Sequence, residues 1–222
     1  MEKIALITGA NRGLGLEVAK RLAARGVRVL AGVREPAKMP VLSGVEAIAL
    51  DVTDEASVAA AAEKARADHG RIDVLVNNAA ILLDESMDIL DVDSGTLRRT
   101  LETNLLGALR VIQAFLPLLG RGARIINVSS GGGQLSAPSN WSPAYCLSKT
   151  ALNGVTVQVA KALEGKGIAV NSVCPGWVRT DMGGPGAPRS VEEGAAGILW
   201  MALDAPQQLT GGFFQDGERI PW

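Results

Sequence analysis

Short apolar runs that alternate with longer amphipathic stretches constrain this chain more than any other feature. Residues 4–8, 27–33, 47–52, 74–77, 124–128 and 169–173 are rich in Val, Ile and Leu and too short for helices. Each predicts a strand buried on both faces. Between them, Leu14, Val18 and Leu22 recur four residues apart, and Leu152, Val155, Val159 and Leu163 recur at three or four. That is the spacing of one helix face. Strands separated by helices are joined by right-handed crossovers, and crossovers make parallel sheets. The predicted fold class is α/β: a single doubly wound parallel sheet of about seven strands, flanked by helices on both faces.

Three further segments complete this reading. Residues 94–119 carry a helical pattern interrupted only by Gly107, and predict one long helix or two, ending at Pro117 or Gly120. Residues 183–188 are a Gly/Pro-rich loop, followed by a helix near 191–203 and a last strand at 212–215. His69, just before Gly70, reads as a solvated residue at a helix end.

Composition removes several function classes. The 222 residues are 47% hydrophobic and 20% charged, enough for a sizeable core. A net charge of -1 gives no field that attracts nucleic acid or an anionic membrane. Cys146 and Cys174 form no disulfide framework, and a single histidine leaves no zinc-ligand cluster, so no metal is expected. The apolar run at Ile4 reaches Thr8 and Gly9 too soon for a signal peptide. The longest uncharged stretch, 125–148, is too rich in Ser, Gly, Asn and Pro to span a membrane. A cytoplasmic protein in a reducing compartment is the expectation.

The turn after the first strand is Thr8-Gly9-Ala10-Asn11-Arg12-Gly13-Leu14-Gly15, and it opens the first helix. Glycine is needed where a backbone turns tightly and must approach a pyrophosphate without a Cβ in the way. The helix N-terminus then offers free N–H groups and a partial positive charge to the phosphates. This predicts a dinucleotide site. The spacing is Gly-x-x-x-Gly-x-Gly and not the commoner Gly-x-Gly-x-x-Gly.

Further motifs follow in order: Asn77-Asn78-Ala79-Ala80, Thr103-Asn104, Ser129-Ser130, Tyr145-x-x-x-Lys149 and Pro175-Gly176-x-Val178-x-Thr180. Together with the glycine turn they resemble the short-chain dehydrogenase/reductase family over about residues 4–182, with Ala80 departing from its usual glycine. The segment 174–182 and the Pro-Trp ending look nearest to the carbonyl reductase branch. The resemblance implies one dinucleotide-binding and catalytic domain over 1–222, and a small carbonyl or alcohol as substrate. It implies cofactor contacts from Gly9, Asn11, Arg12, Gly13, Leu14, Gly15, Asn78, Ala79, Tyr145, Lys149, Pro175, Gly176, Val178 and Thr180. Asp51-Val52 resembles the family's adenine-contacting pair.

Two arginines bear on the cofactor. Arg12 lies in the glycine turn and Arg34 at the end of the second strand, where NAD-preferring sites place a carboxylate for the ribose 2′-OH. Two guanidinium groups suit a 2′-phosphate, so NADP(H) is expected, with NADPH preferred over NADH. Glu35 is the one residue that argues the other way.

Tyr145 and Lys149, four apart, share a helix face, and Ser142 with Pro143 fits an N-cap and first position that puts Tyr145 in the first turn. An ammonium at about 4 Å contributes roughly 4 kcal/mol at an effective dielectric near 20, about three pK units, which would bring the phenol near 7. By spacing and resemblance, Tyr145 is the general acid/base and Lys149 lowers its pKa and holds the ribose hydroxyls. Ser130, preferred over Ser129 by family alignment, steadies the substrate oxygen, and Asn104 holds a water that links Lys149 to solvent. Gln134, Trp141 and Trp177 are expected to line the substrate pocket, with the alternative that the two tryptophans are core. The short loop 181–190 implies an open pocket for bulky or varied ketones and aldehydes.

The expected function is NADPH-dependent reduction of a ketone or aldehyde. The alternatives are an NAD-dependent alcohol dehydrogenase working oxidatively, and a catalytically silent dinucleotide sensor. Helices near 96–116 and 144–163 look like those the family uses to form a homodimer or homotetramer.

Overall fold

The computed structural model describes residues 2–222. One sheet dominates it, with strands β1 (Ile4–Thr8), β2 (Arg28–Val33), β3 (Val45–Ala49), β4 (Ile72–Asn77), β5 (Leu119–Val128), β6 (Ala169–Val173), β7 (Gly212–Gln215) and β8 (Glu218–Ile220). The spatial order is β3-β2-β1-β4-β5-β6-β7-β8. The first seven run parallel, and β8 returns antiparallel to β7. The chain reverses its direction of travel across the sheet between β1 and β4, so a crevice opens at their carboxyl ends.

Strand alternation sorts the core into two layers. Ala5 and Ile7 of β1 face one side, where Val18 and Leu22 of α1 (Gly13–Ala24) pack with Ile198 and Met201 of α6 (Val191–Leu203). Ile4 and Leu6 face the other side. There they meet Val58 of α2 (Glu55–His69), Val111 and Phe115 of α4 (Gly107–Phe115), and Ala160 of α5 (Pro143–Ala162). Both faces of the strands are covered, which is why they read as unbroken apolar runs.

Several boundaries differ from the sequence reading. Seven strands run parallel as expected, and the described residues add an eighth: the dipeptide Asp216-Gly217 has positive φ at both residues (53° and 84°) and turns the chain into β8. β3 spans 45–49; beyond it Leu50 N still donates to the Val33 carbonyl at 2.9 Å, while Val52 turns to pack on α4. Gly107 is needed there, since a Cβ on it would lie 2.8 Å from Val52 Cγ2. The stretch 94–119 is α3 (Ser94–Leu101), a wide π-helical turn over Glu102–Leu106, α4, and a short 3-10 turn up to Leu118. His69 does end α2, with Gly70 in the left-handed region. Its side chain is only 12% exposed and rests 3.3 Å from Glu46, so it is not solvated.

Hydrogen bonds tie the sheet to the helices at two buried places. Arg124 of β5 donates to the carbonyls of Met201 (2.9 Å) and Ala205 (2.5 Å) and closes the end of α6. On the other face, Asn77 Nδ2 donates to Asn127 Oδ1 at 2.9 Å and Asn127 Nδ2 donates to Thr156 Oγ1 at 2.8 Å. Thr156 Oγ1 in turn shares a 2.8 Å bond with Ser172 Oγ, so this seam joins β4, β5 and β6 to α5. Among the described residues, no helix is long and apolar enough to cross a membrane.

Candidate active site

The glycine turn between β1 and α1 sits at the crevice and is held by contacts on the scale of single atoms. Gly9 has φ +65° and a Cβ there would lie 3.0 Å from Ala79 Cα; at Gly13, φ +51°, it would lie 3.3 Å from Thr180 Cγ2. At Gly15 it would stand 2.5 Å from both Asn78 Nδ2 and the Gly9 carbonyl. Thr8 locks the neighbouring loop, because its Oγ1 accepts from the backbone N–H groups of Asn78 and Ala79, each at 3.0 Å. Asn78 Nδ2 donates back to the carbonyls of Thr8 (2.9 Å) and Gly9 (3.1 Å). Helix α1 has no acidic residue in its first turn and no side-chain cap, so its N–H groups face the crevice unneutralised. The residues present fit a dinucleotide pyrophosphate: bare backbone, no Cβ and an open helix start.

The motif residues around this cradle are placed unequally. Asn11 and Arg12 are exposed beside it, and Arg34 is exposed at the end of β2, its side chain without a hydrogen bond or ion pair among the described residues. Arg12 is not free: its Nη1 is 2.5 Å from Asp181 Oδ2. Glu35 pairs with Lys38 at 2.7 Å. Asp51 Oδ1 accepts from the N–H and hydroxyl of Thr53 (2.9 and 2.8 Å), while Val52 is buried against α4. Beyond β6, Pro175 and Gly176 are half-buried, Val178 is buried and Thr180 lies over Gly13.

At the ends of β5 and β6 the second cluster forms. The strand turns Ser129 inward, buried with its Oγ 3.5 Å from the Lys149 carbonyl. Ser130 points the other way and accepts from Gly132 N at 3.1 Å, near enough to Tyr145 to bear on its titration. Lys149 is buried, donates to the Val128 carbonyl at 2.8 Å, and has its Nζ 5.5 Å from the centre of the Tyr145 ring. Gly131–Gly133 lets this turn lie flat on α5, since a Cβ at Gly133 would meet Lys149 backbone at 2.9 Å. Asn104 sits in the π-helical turn. Its side chain is spent, donating to the Ile81 carbonyl (2.9 Å) and Ser148 Oγ (3.0 Å) and accepting from Ile81 N (2.8 Å).

Residues 3–189 match the short chain dehydrogenase family. This chain belongs to that family. A short-chain dehydrogenase of Penicillium roqueforti is 35% identical, with 96% of this chain and 94% of the relative covered. An NADPH-bound carbonyl reductase from chicken fatty liver superimposes with a TM-score of 0.89 at 28% identity, covering 100% of this chain and 94% of that one. The carbonyl reductase Sniffer of Drosophila melanogaster gives 0.88 at 30% identity, with both chains covered in full.

Within this short-chain dehydrogenase, electrostatics depart from the sequence estimate. Burial pushes the Tyr145 hydroxyl well above the usual tyrosine range, and the nearby Ser130 hydroxyl pulls it down by less. Burial also lowers Lys149 to about 8. The expected drop of the phenol toward 7 is absent because both groups are desolvated, and the ammonium is held by Val128 instead of by the hydroxyl. Cys146, beside Tyr145, is pushed up to about 11, mainly by burial.

The tryptophans are not core. Trp141 is 45% exposed with its ring 5.7 Å from that of Tyr145, and Trp177 is 60% exposed with its Nε1 donating to the Gly183 carbonyl. The Gln134 amide nitrogen, by contrast, is engaged by the Pro221 carbonyl at 2.9 Å. Ser142 occupies the position before α5 but does not cap it: its φ is 44° and its side chain makes no capping bond. Asp84, from the loop after β4, takes that place. Sequence reasoning missed this residue, and it quoted Thr8 without giving it a role.

Proposed function

We propose that this chain reduces a ketone or aldehyde to an alcohol with NADPH, Tyr145 acting as general acid. The observation that carries the reading is the cluster of Ser130, Tyr145 and Lys149 at the end of β5, with the single strand β4 between it and the glycine cradle at the end of β1. Bound NADPH would supply the hydride. The protein's part is to hold the carbonyl between Ser130 and Tyr145 and to deliver a proton to its oxygen. A tyrosine that burial keeps protonated is ready to donate, which favours reduction over the oxidative alternative. Lys149 lies behind Tyr145, where it can hold the ribose hydroxyls and replace the donated proton. With the Asn104 side chain committed to Ile81, a water leading to Lys149 would rest on a backbone carbonyl released by the π-helical turn.

Arg34 supports the NADPH preference as a free cation where the 2′-phosphate would lie, and the Glu35–Lys38 pair removes the competing carboxylate. The NADP-bound and NADPH-bound relatives of similar fold agree with this choice. Exposed Trp141, Trp177 and Leu135 make an apolar rim suited to bulky carbonyls. Leu106 of the π-helical turn and Leu147 and Val157 of α5 leave apolar surface for a homodimer or homotetramer, and sedimentation as a monomer alone would remove that part of the proposal. The deciding experiment is a titration with NADPH and NADH followed by a carbonyl screen. NADPH should bind tighter, and Tyr145→Phe should lower kcat by about 100-fold to 10,000-fold. An enzyme indifferent to Tyr145→Phe, or one that binds neither cofactor, refutes the reading.

A further inference from the structure

We propose that Asp84 is a positioning residue for Tyr145: its buried carboxylate fixes the first turn of α5 and so sets where the Tyr145 hydroxyl stands. The proposal rests on the functional reading above.

The start of α5 lacks its ordinary local means of closure. Pro143, at the first helical position, has no N–H, and the preceding Ser142 is in the left-handed region and its hydroxyl makes no capping bond. The first N–H groups that need a partner are therefore those of Ala144 and Tyr145. Both donate to one atom, Asp84 Oδ2, at 2.6 and 3.4 Å. Asp84 comes from 60 residues earlier in the chain. It ties the loop that follows Asn78 and Ala79 to the helix that carries the acid.

A purely structural role explains this arrangement poorly. Asp84 has 0% exposure, no ion pair among the described residues, and an Oδ1 without any hydrogen-bond partner. A buried carboxylate is costly, and here only two N–H groups and the helix start compensate it. A serine in extended conformation at position 142 would cap the helix without burying a charge. What Asp84 adds is reach. The 2.6 Å bond to Ala144 N and the longer one to Tyr145 N tie the first turn of α5 to the loop after β4, and the Trp141 ring lies 5.7 Å from that of Tyr145. A shift of about 1 Å in a reacting group is enough to cost roughly 100-fold in rate.

The test compares Asp84→Ala, Asp84→Asn and Asp84→Ser, each alone and with Tyr145→Phe. Asp84→Ala should lower kcat by about 10-fold to 100-fold while the KM for the carbonyl and the Kd for NADPH stay within about threefold. Asparagine keeps an acceptor at the same reach and should recover most of that loss, whereas the shorter serine should not. In the Tyr145→Phe background, Asp84→Ala should change the residual rate little, because there is no longer a hydroxyl to position. Parental kcat in a folded Asp84→Ala enzyme overturns the proposal, as does an equal loss in both backgrounds. If Asp84→Ala does not fold, equal rates in the asparagine and serine variants overturn it. A fully active Tyr145→Phe enzyme refutes the functional reading and this proposal together; an inactive one beside an indifferent Asp84→Ala refutes this proposal alone.

Discussion

The two halves of the crevice are built from different material. On the β1 side the cradle is main chain: Gly9, Gly13 and Gly15 stand where an added Cβ would meet Ala79, Thr180 or Asn78 at 2.5–3.3 Å. On the α5 side the working parts are side chains, some buried and ionisable like Tyr145, Lys149 and Asp84, others exposed like Trp141 and Trp177. Backbone at such distances leaves nothing to vary, while an exposed ring can be exchanged without disturbing its neighbours. The half that would meet the constant cofactor is close-packed backbone, with its charges, Arg12 and Arg34, at the exposed edge. The half that would meet the substrate holds both the titrating groups and the replaceable ones.

The sharpest way to break this contrast is Gly15→Ala. Its Cβ overlap with Asn78 and Gly9 should cost about a hundredfold in NADPH affinity, measured by titration on protein shown to be folded by circular dichroism. Next is pH. Lys149, buried and lowered from 10.5 to about 8, stays neutral in the fold at pH values where the unfolded chain still binds a proton. The Lys149 contribution to stability without cofactor should therefore rise by about 2 kcal/mol between pH 8 and 10, read as the difference from Lys149→Met, because the thiols of Cys146 and Cys174, both raised by burial, pull the total the other way there. Above about pH 10, Tyr145, which holds its proton in the fold, should add to that loss. Denaturant unfolding of Lys149→Met should lack the rise, and a Gly15→Ala protein should keep it.

A smaller effect is expected at the rim. Trp177→Ala should raise the KM for a bulky apolar carbonyl roughly fivefold, or about 1 kcal/mol, and leave the Kd for NADPH unchanged. The smallest comes from the contact that bridges the halves, Arg12–Asp181. Asp181→Asn should release Arg12 and tighten NADPH by about twofold to threefold at low salt, fading at high salt, since exposed pairs are worth under about 1 kcal/mol. No change at low salt would remove Arg12 as a phosphate ligand.

How much was legible in the sequence follows the same division. β6 and β7 match the apolar runs residue for residue, because strands covered on both faces show themselves as continuous hydrophobic stretches. The cradle was legible too, since glycines at fixed spacing are a local signal. β8 was not read because Glu218 and Arg219 are polar, although Asp216-Gly217 was available as a hairpin signal. The break at Glu102–Leu106 left no trace, as all its residues fit an ordinary helix. Asp84 was invisible for a stronger reason: a cap supplied from 60 residues away leaves no pattern near the helix it closes. The tyrosine pKa was misjudged because pair spacing carries the attraction between charges but not their burial.

The seam from Asn77 through Asn127 to Thr156 and Ser172 has a consequence for how such an enzyme can change. Apolar side chains tolerate gradual sliding of one helix over a sheet; directional bonds do not. Slipping α5 by one residue would turn Tyr145 by about 100° and break the Thr156 bonds in the same step. The acid's location is thus quantised, fixed in one register or lost. New substrates must then be accommodated by recutting the rim around a stationary proton donor.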